Sequence, residues 1–144
     1  MKEVIFFCNQ HFILISLWFF FLILSLLLII KINSFKDKII NNIQAIKLIN
    51  KNNGIVVDTR SIEVFKKGHI VNSINIPLNQ ILSGNLKKIE DYKSFPVILI
   101  LSEMNECKNC MAEFLKNGFN RIYVLKNGIY YWSLDHLPLV IEDK

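Results

Sequence analysis

The sequence predicts an α/β fold, a mostly parallel sheet flanked by helices and preceded by one N-terminal transmembrane helix. Three observations predict it. After residue 38, short β-branched runs alternate with helical segments, and that alternation implies parallel strands joined by right-handed crossovers. One run, VILIL, has no polar alternation and so belongs in a sheet covered on both faces. Ahead of these lies an unbroken apolar stretch, residues 12–30.

That stretch reads FILISLWFFFLILSLLLII, with only Ser16 and Ser25 as polar breaks. Its length as a helix is roughly 28 Å, close to the ~30 Å hydrocarbon core of a bilayer. A cleaved signal peptide would need a basic start, a shorter run and small residues at a cleavage site. Here Lys2 is offset by Glu3, and KINSF follows the run. An uncleaved anchor is therefore expected, with residues 1–11 as a short tail and residues 31–38 as a juxtamembrane linker. Lys31, Lys36 and Lys38 flank one end and Lys2 the other. The positive-inside rule then puts the N-terminus outside and the C-terminal domain, residues 39–144, in the cytoplasm.

Net charge is +5, much of it beside the anchor. Those lysines control topology and lie where anionic headgroups would be. The remaining basic residues are scattered among acids without an arginine cluster, so no nucleic-acid partner is expected. Membrane lipid, through residues 12–30, is the partner the composition implies. Of three cysteines, Cys8 precedes the anchor, across the bilayer from Cys107 and Cys110, and a disulfide framework is not expected in a reducing cytosol.

The elements follow in order. Ile43, Ile46 and residues 47–50 suggest a short amphipathic helix closed by Asn52-Asn53-Gly54. IVVD is a first strand ending in an acid. SIEVFKKG fits one or two helical turns stopped by Gly68. SINIP is a second strand ended by Pro77, and LKKIEDYK reads as a solvated helix. VILIL is the third strand. ECKNCMAEFLKNG is the clearest helix, its apolar stripe made of Cys107, Cys110, Met111, Phe114 and Leu115. Asn105 is positioned to cap it and Gly118 to close it. RIYVL is a fourth strand, GIYYW a last helical turn, and LPLV ends the domain. In parallel sheets, sites form at the carboxyl ends of strands, and Asp58 and the 101–106 loop both fall there.

The run VVDTRSIEVFKKGHIVNSINIP carries Asp58, Arg60, Glu63, Gly68, His69, Ile70, Asn75, Ile76 and Pro77. It resembles the first signature of the rhodanese-like (sulfurtransferase-like) domain family. Gly118-Phe119, the strand to Leu125, Gly128-Ile129, Trp132 and Leu137-Pro138 resemble its terminal signature. Asn127 departs from the pattern, standing where the first glycine of a pair is usual. The resemblance covers residues 39–141 and implies the family's fold. One outer tail, one anchor and one domain of this length together resemble bacterial inner-membrane, single-pass members of the family.

Active rhodaneses carry a cysteine at the end of the central strand, followed by a six-residue loop that feeds a helix. Its thiolate takes a sulfane sulfur as a persulfide, and loop amides with a basic side chain stabilise the anion. Counting from Pro96 or back from Gly118 puts that position at Leu101. The next loop residues are Ser102, Glu103, Met104, Asn105 and Glu106, without glycine and with two carboxylates. An anion about 4 Å from a carboxylate is opposed by a few kcal/mol at an effective dielectric of about 20. Both nucleophile and anion cradle are compromised, and no catalytic residue is assigned. The related phosphatase chemistry fails for the same reason.

Cys107 and Cys110 form a C-x-x-C pair in a first helical turn, a setting that suits thiol chemistry. Both also lie on the apolar stripe, where buried cysteines are inert. Cys107 is the weak candidate for a shifted sulfur or redox centre. Zinc needs four ligands, and His69 and His136 are not spaced as partners, so no metal and no cofactor are expected. Asp58, Arg60, Glu63, His69 and Trp132 are expected to be structural: a turn cap, a loop tether, a helical acid, a hydrogen-bonded histidine and packing over the sheet. The expected function is a non-catalytic, membrane-tethered binding or accessory module for membrane proteins. The alternative is a sulfur carrier or thiol-redox enzyme using Cys107. No small-xxx-small spacing marks the span as a helix dimer, and the sequence fixes no oligomeric state.

Overall fold

The computed structural model describes residues 10–142, and of residues 30–36 the backbone only. Residues 1–9 of the expected tail, and Cys8 with them, lie outside the described residues. The chain divides between Asp37 and Lys38 into two units.

The first holds helix α1, Phe12–Lys36. Its window Phe12–Ile29, with mean hydropathy 3.0, is long and apolar enough to cross a bilayer. The helix runs through most of the expected linker. KINSFK contains neither proline nor glycine, so polarity changes there while the backbone has no reason to break.

The second unit contains a five-stranded parallel sheet in the order β1-β6-β5-β2-β4. Its strands are β1 (Ile39–Ile40), β2 (Ile55–Asp58), β4 (Ile74–Asn75), β5 (Val97–Ile100) and β6 (Ile122–Leu125). A separate antiparallel pair joins β3 (His69–Ile70) to β7 (Leu139–Val140). The short strands β1, β3 and β7 escape a periodicity reading because two residues carry no period.

β5 is central, and all four of its residues are fully buried. One face of the sheet packs Ile40, Val56, Ile98, Ile100 and Leu125 with Ala45 of α2 (Asn42–Asn52), Ile70 and Trp132 of α6 (Gly128–Leu134). Strand alternation turns Val57, Leu99 and Val124 the other way. There α5 (Cys107–Lys116) meets β6 and the short helix α4 (Leu78–Leu82).

Helix ends follow local chemistry. Asn41 and Gln44 form a reciprocal capping box on α2, and Asn53 ends that helix in the left-handed region with φ 51°. Ile43 is 79% exposed, so Ala45 takes the core-facing place expected of it. α3 (Ile62–Lys66) buries Phe65. The segment LKKIEDYK is not a solvated helix. It forms a 3-10 stretch over Lys87–Tyr92, broken at Ile89, and it buries Leu86 and Ile89.

α5 buries Cys107, Cys110, Met111 and Phe114, but Leu115 is 53% exposed. Its end is a Schellman turn: Gly118 N–H donates to Leu115 O, and Phe119 N–H to Phe114 O. Gly118 takes φ 88°, a region most side chains avoid. The Phe114 and Phe119 rings meet edge to face at 5.2 Å. Phe114→Ala should cost about 4 kcal/mol, whereas Leu115→Ala should stay within about 0.5 kcal/mol. Urea unfolding of the full chain in micelles measures both.

Candidate functional site

The carboxyl ends of β2 and β5 lie side by side, with Asp58 in register with Ile100. Thr59 locks them together: its N–H and its Oγ1 both donate to Ile100 O, at 3.0 and 2.9 Å. Nothing in the sequence signature singled out Thr59, which sits unremarked between Asp58 and Arg60.

Asp58 is fully buried. Its carboxylate accepts the Arg60 backbone N–H, closing a local Asx turn, and receives Arg60 Nε and Nη2, the latter at 2.6 Å. The same Nη2 donates to Gly68 O at 2.8 Å. Arg60 thus ties the β2 end to the start of β3. Asn75 Nδ2 donates to Asp58 O and Arg60 O, and Lys88 Nζ covers Asn75 O at the sheet edge. Both acidic oxygens and the fork of the arginine are engaged within the fold.

His69 is buried, stacked on Phe65 at 3.8 Å, with Nδ1 3.0 Å from Phe65 O. A carbonyl only accepts, so Nδ1 carries the hydrogen. Glu63 stands exposed on α3. Its own backbone N–H, then the Ser61 hydroxyl, Lys66 and Lys67, hold its carboxyl below the usual range. Trp132 is buried under α6 and donates to Pro138 O at 3.2 Å. Asp58, Arg60 and Leu101 therefore share one end of the sheet, while Glu63 and Trp132 lie elsewhere.

Leu101 follows β5 directly and is buried. Gly128 presses on it from α6: a Cβ built there would come within 3.1 Å of Leu101 O. Asn127, the departure from the family pattern, takes φ 57°, which asparagine tolerates better than most residues. Ser102, Glu103, Met104 and Asn105 are exposed, and Glu106 is half-buried. Residues Met104–Glu106 form a 3-10 turn. Asn105 does not cap α5. Its Nδ2 donates to Glu103 Oε2 at 2.9 Å, and Glu106 occupies the cap position without a side-chain bond. The side chains this loop offers outward are a hydroxyl, a thioether, an amide and two carboxylates.

Cys107 turns into the core, fully buried, with Sγ 3.7 Å from Met111 Sδ. Burial raises its pKa. Cys110 is pushed up to about 12 by burial, with Cys107 and Glu106 adding to it. At neutral pH both stay as thiols, the unreactive form. Among the described residues no three His, Cys, Asp or Glu side chains are grouped to hold a metal ion.

Maleimide applied to the native chain at about pH 7 should leave Cys107 and Cys110 unlabelled, and both should react once the chain is unfolded. Mass mapping reads the result. A thiol whose folded pKa is raised binds its proton more tightly in the fold than out of it. Its contribution is present below the ordinary value near 9 and is lost as pH rises toward about 12. Cys110→Ala should flatten that part of the fall in unfolding midpoint. Arg60→Ala strands a buried carboxylate and should cost about 3 kcal/mol in the same unfolding measurement.

A family model for the rhodanese-like domain matches residues 42–135. The chain is 54% identical over 144 residues to an uncharacterized protein of Buchnera aphidicola subsp. Acyrthosiphon pisum (strain APS), covering 100% of both. It is 36% identical over 140 residues to the uncharacterized protein YibN of Escherichia coli (strain K12), covering 97% of this chain and 98% of that one. A rhodanese-related protein from Thermoplasma volcanium, solved by crystallography, is similar with TM-score 0.61 and 25% identity, over 73% of this chain and 99% of that one. With the family's model spanning most of the sheet and its two signatures placed at the strand ends, the chain belongs to the rhodanese-like domain family.

Proposed function

We propose that this is a membrane-anchored rhodanese-like protein without sulfurtransferase activity, acting at the cytoplasmic face of a bacterial inner membrane as a binding module for membrane proteins. The observation that carries the reading is Leu101, an aliphatic side chain buried at the end of the central strand, where the family resemblance calls for a thiol. Leucine can neither attack a sulfane sulfur nor hold one. The Glu103 and Glu106 carboxylates in the loop oppose an anionic donor such as thiosulfate.

Cys107 does not supply a substitute. It faces Met111 inside the core, and a raised pKa lowers the thiolate fraction that attack requires. The sulfur-carrier alternative would need the first turn of α5 to open.

The anchor reading rests on α1 and on lysine asymmetry. Lys31, Lys36 and Lys38 follow the apolar span, against Lys2 before it. Tethering to the bilayer raises the effective concentration of the domain near other membrane proteins. The exposed part of the loop, residues 102–105, is the surface this reading assigns to contact.

Two outcomes test it together. Thiosulfate should leave no persulfide on any cysteine of the folded domain, and Cys107→Ser should change nothing in a thiosulfate-to-cyanide assay. A photocrosslinker at Glu103 in native membranes should capture a discrete membrane-protein partner. A Cys107 persulfide would overturn the non-catalytic reading, and failure to crosslink any partner would overturn the binding role. Protease added to spheroplasts should leave residues 39–144 intact, and digestion there would reverse the orientation.

A further inference from the structure

A cavity opens on the same side of the sheet as Leu101, beyond the carboxyl ends of β1 and β6, with Asn127 of its lining next to the Gly128 that packs on Leu101 O. It holds about 210 Å3 and is lined by Asn41, Asn42, Lys126, Asn127, Tyr131 and Asp135. It brings together the residue after β1, the first turn of α2, the turn after β6 and the end of α6.

Its floor is built. Asn42 is only 7% exposed, and its Nδ2 donates to Asp135 Oδ2 at 2.7 Å across 93 residues of chain. That bond fixes the amide, so that Nδ2 points at Asp135. Among the described hydrogen bonds Asn42 uses only its Nδ2, which leaves its Oδ1 able to accept one from a ligand. Asn41 is held by the α2 capping box through its Oδ1, which leaves its Nδ2 free to donate. Asp135 keeps its second oxygen, Oδ1, unengaged.

One cation and one carboxylate line this cavity, yet among the described residues no ion pair joins Lys126 to Asp135. Two opposite charges that share a small recess without neutralising each other complement a ligand carrying both charges. Neutral amides between them suit the polar middle of such a ligand. A simple anion would gain Lys126 but meet Asp135, and a simple cation would face the reverse.

We propose that this cavity binds a small zwitterion of α-amino-acid size. The ligand's carboxylate pairs with Lys126 and the Asn41 amide, and its ammonium pairs with Asp135 Oδ1 and Asn42 Oδ1. Charge-assisted hydrogen bonds at both ends supply the selectivity. The cavity needs neither the Leu101 loop nor a reactive thiol, so it stands apart from the non-catalytic reading.

The full chain in detergent micelles is titrated with glycine, L-alanine and L-glutamine, followed by calorimetry and by the amide signals of Asn42 and Asn127. Acetate and methylammonium serve as the single-charge controls. At least one amino acid should bind with a dissociation constant of about 1 mM or better. Acetate and methylammonium should bind at least about tenfold more weakly, as expected when one charged contact is lost. Lys126→Met and Asp135→Asn should each weaken the zwitterion by about tenfold. Both positions are exposed, and the asparagine keeps an acceptor for Asn42, so folding is preserved. A circular dichroism spectrum matching the parent confirms that. Absence of binding by all three amino acids, equal binding of acetate alone, or undiminished binding by both variants overturns the proposal.

Discussion

The unit from Lys38 onward depends on the enclosure of β5. Its four residues are buried completely, with β2 on one edge and β6 on the other. A strand with water on neither face and neither edge cannot slip or fray without exposing apolar side chains and breaking two ladders at once. Residue 101 is therefore fixed in place by the core. The residue there occupies one defined point beside Asp58, whatever its chemistry.

The neighbouring strand end is held by different means. The Asp58–Arg60 pair, Thr59 on Ile100 O and Asn75 on two carbonyls form a polar clasp in an otherwise apolar region. Such a clasp gives less net stability than its bond count suggests, because each charge was first removed from water. What it gives is a single arrangement of the β2 turn. The Asp58 carboxylate and the Nε and Nη2 of Arg60, the motif groups most suggestive of chemistry in the sequence, are spent on holding that turn.

Much of this was legible beforehand. Four of the sheet strands, their parallel pairing and the clearest helix came from apolar runs and turn residues, while the strand order did not. The family signature placed Leu101 after the central strand. What escaped had physical causes. Two-residue strands have no periodicity. Ile43 and Leu115 sit on apolar stripes but point outward, because a 3.6-residue repeat gives a face only to within a side chain or so. The direction of Cys107 could not be read from spacing, since the first residue of a helix can turn to loop or core and packing against Met111 decides it. Asn105 looked like a cap, but Glu103 competes for its amide. The continuity of α1 through Lys36 was missed because hydropathy reports the medium and not the backbone.

The sulfur-lined interior of α5 has a consequence for the environment in which the domain can work. Peroxide and disulfide stress act on thiolates within reach of solvent, and the first turn of α5 presents none. Cys107 and Cys110 are therefore shielded from oxidants while the unit stays folded, whereas Met104, 42% exposed on the loop, is the sulfur that peroxide can reach. Oxidation would thus reach the outer rim of the 101–106 loop before it reached the core.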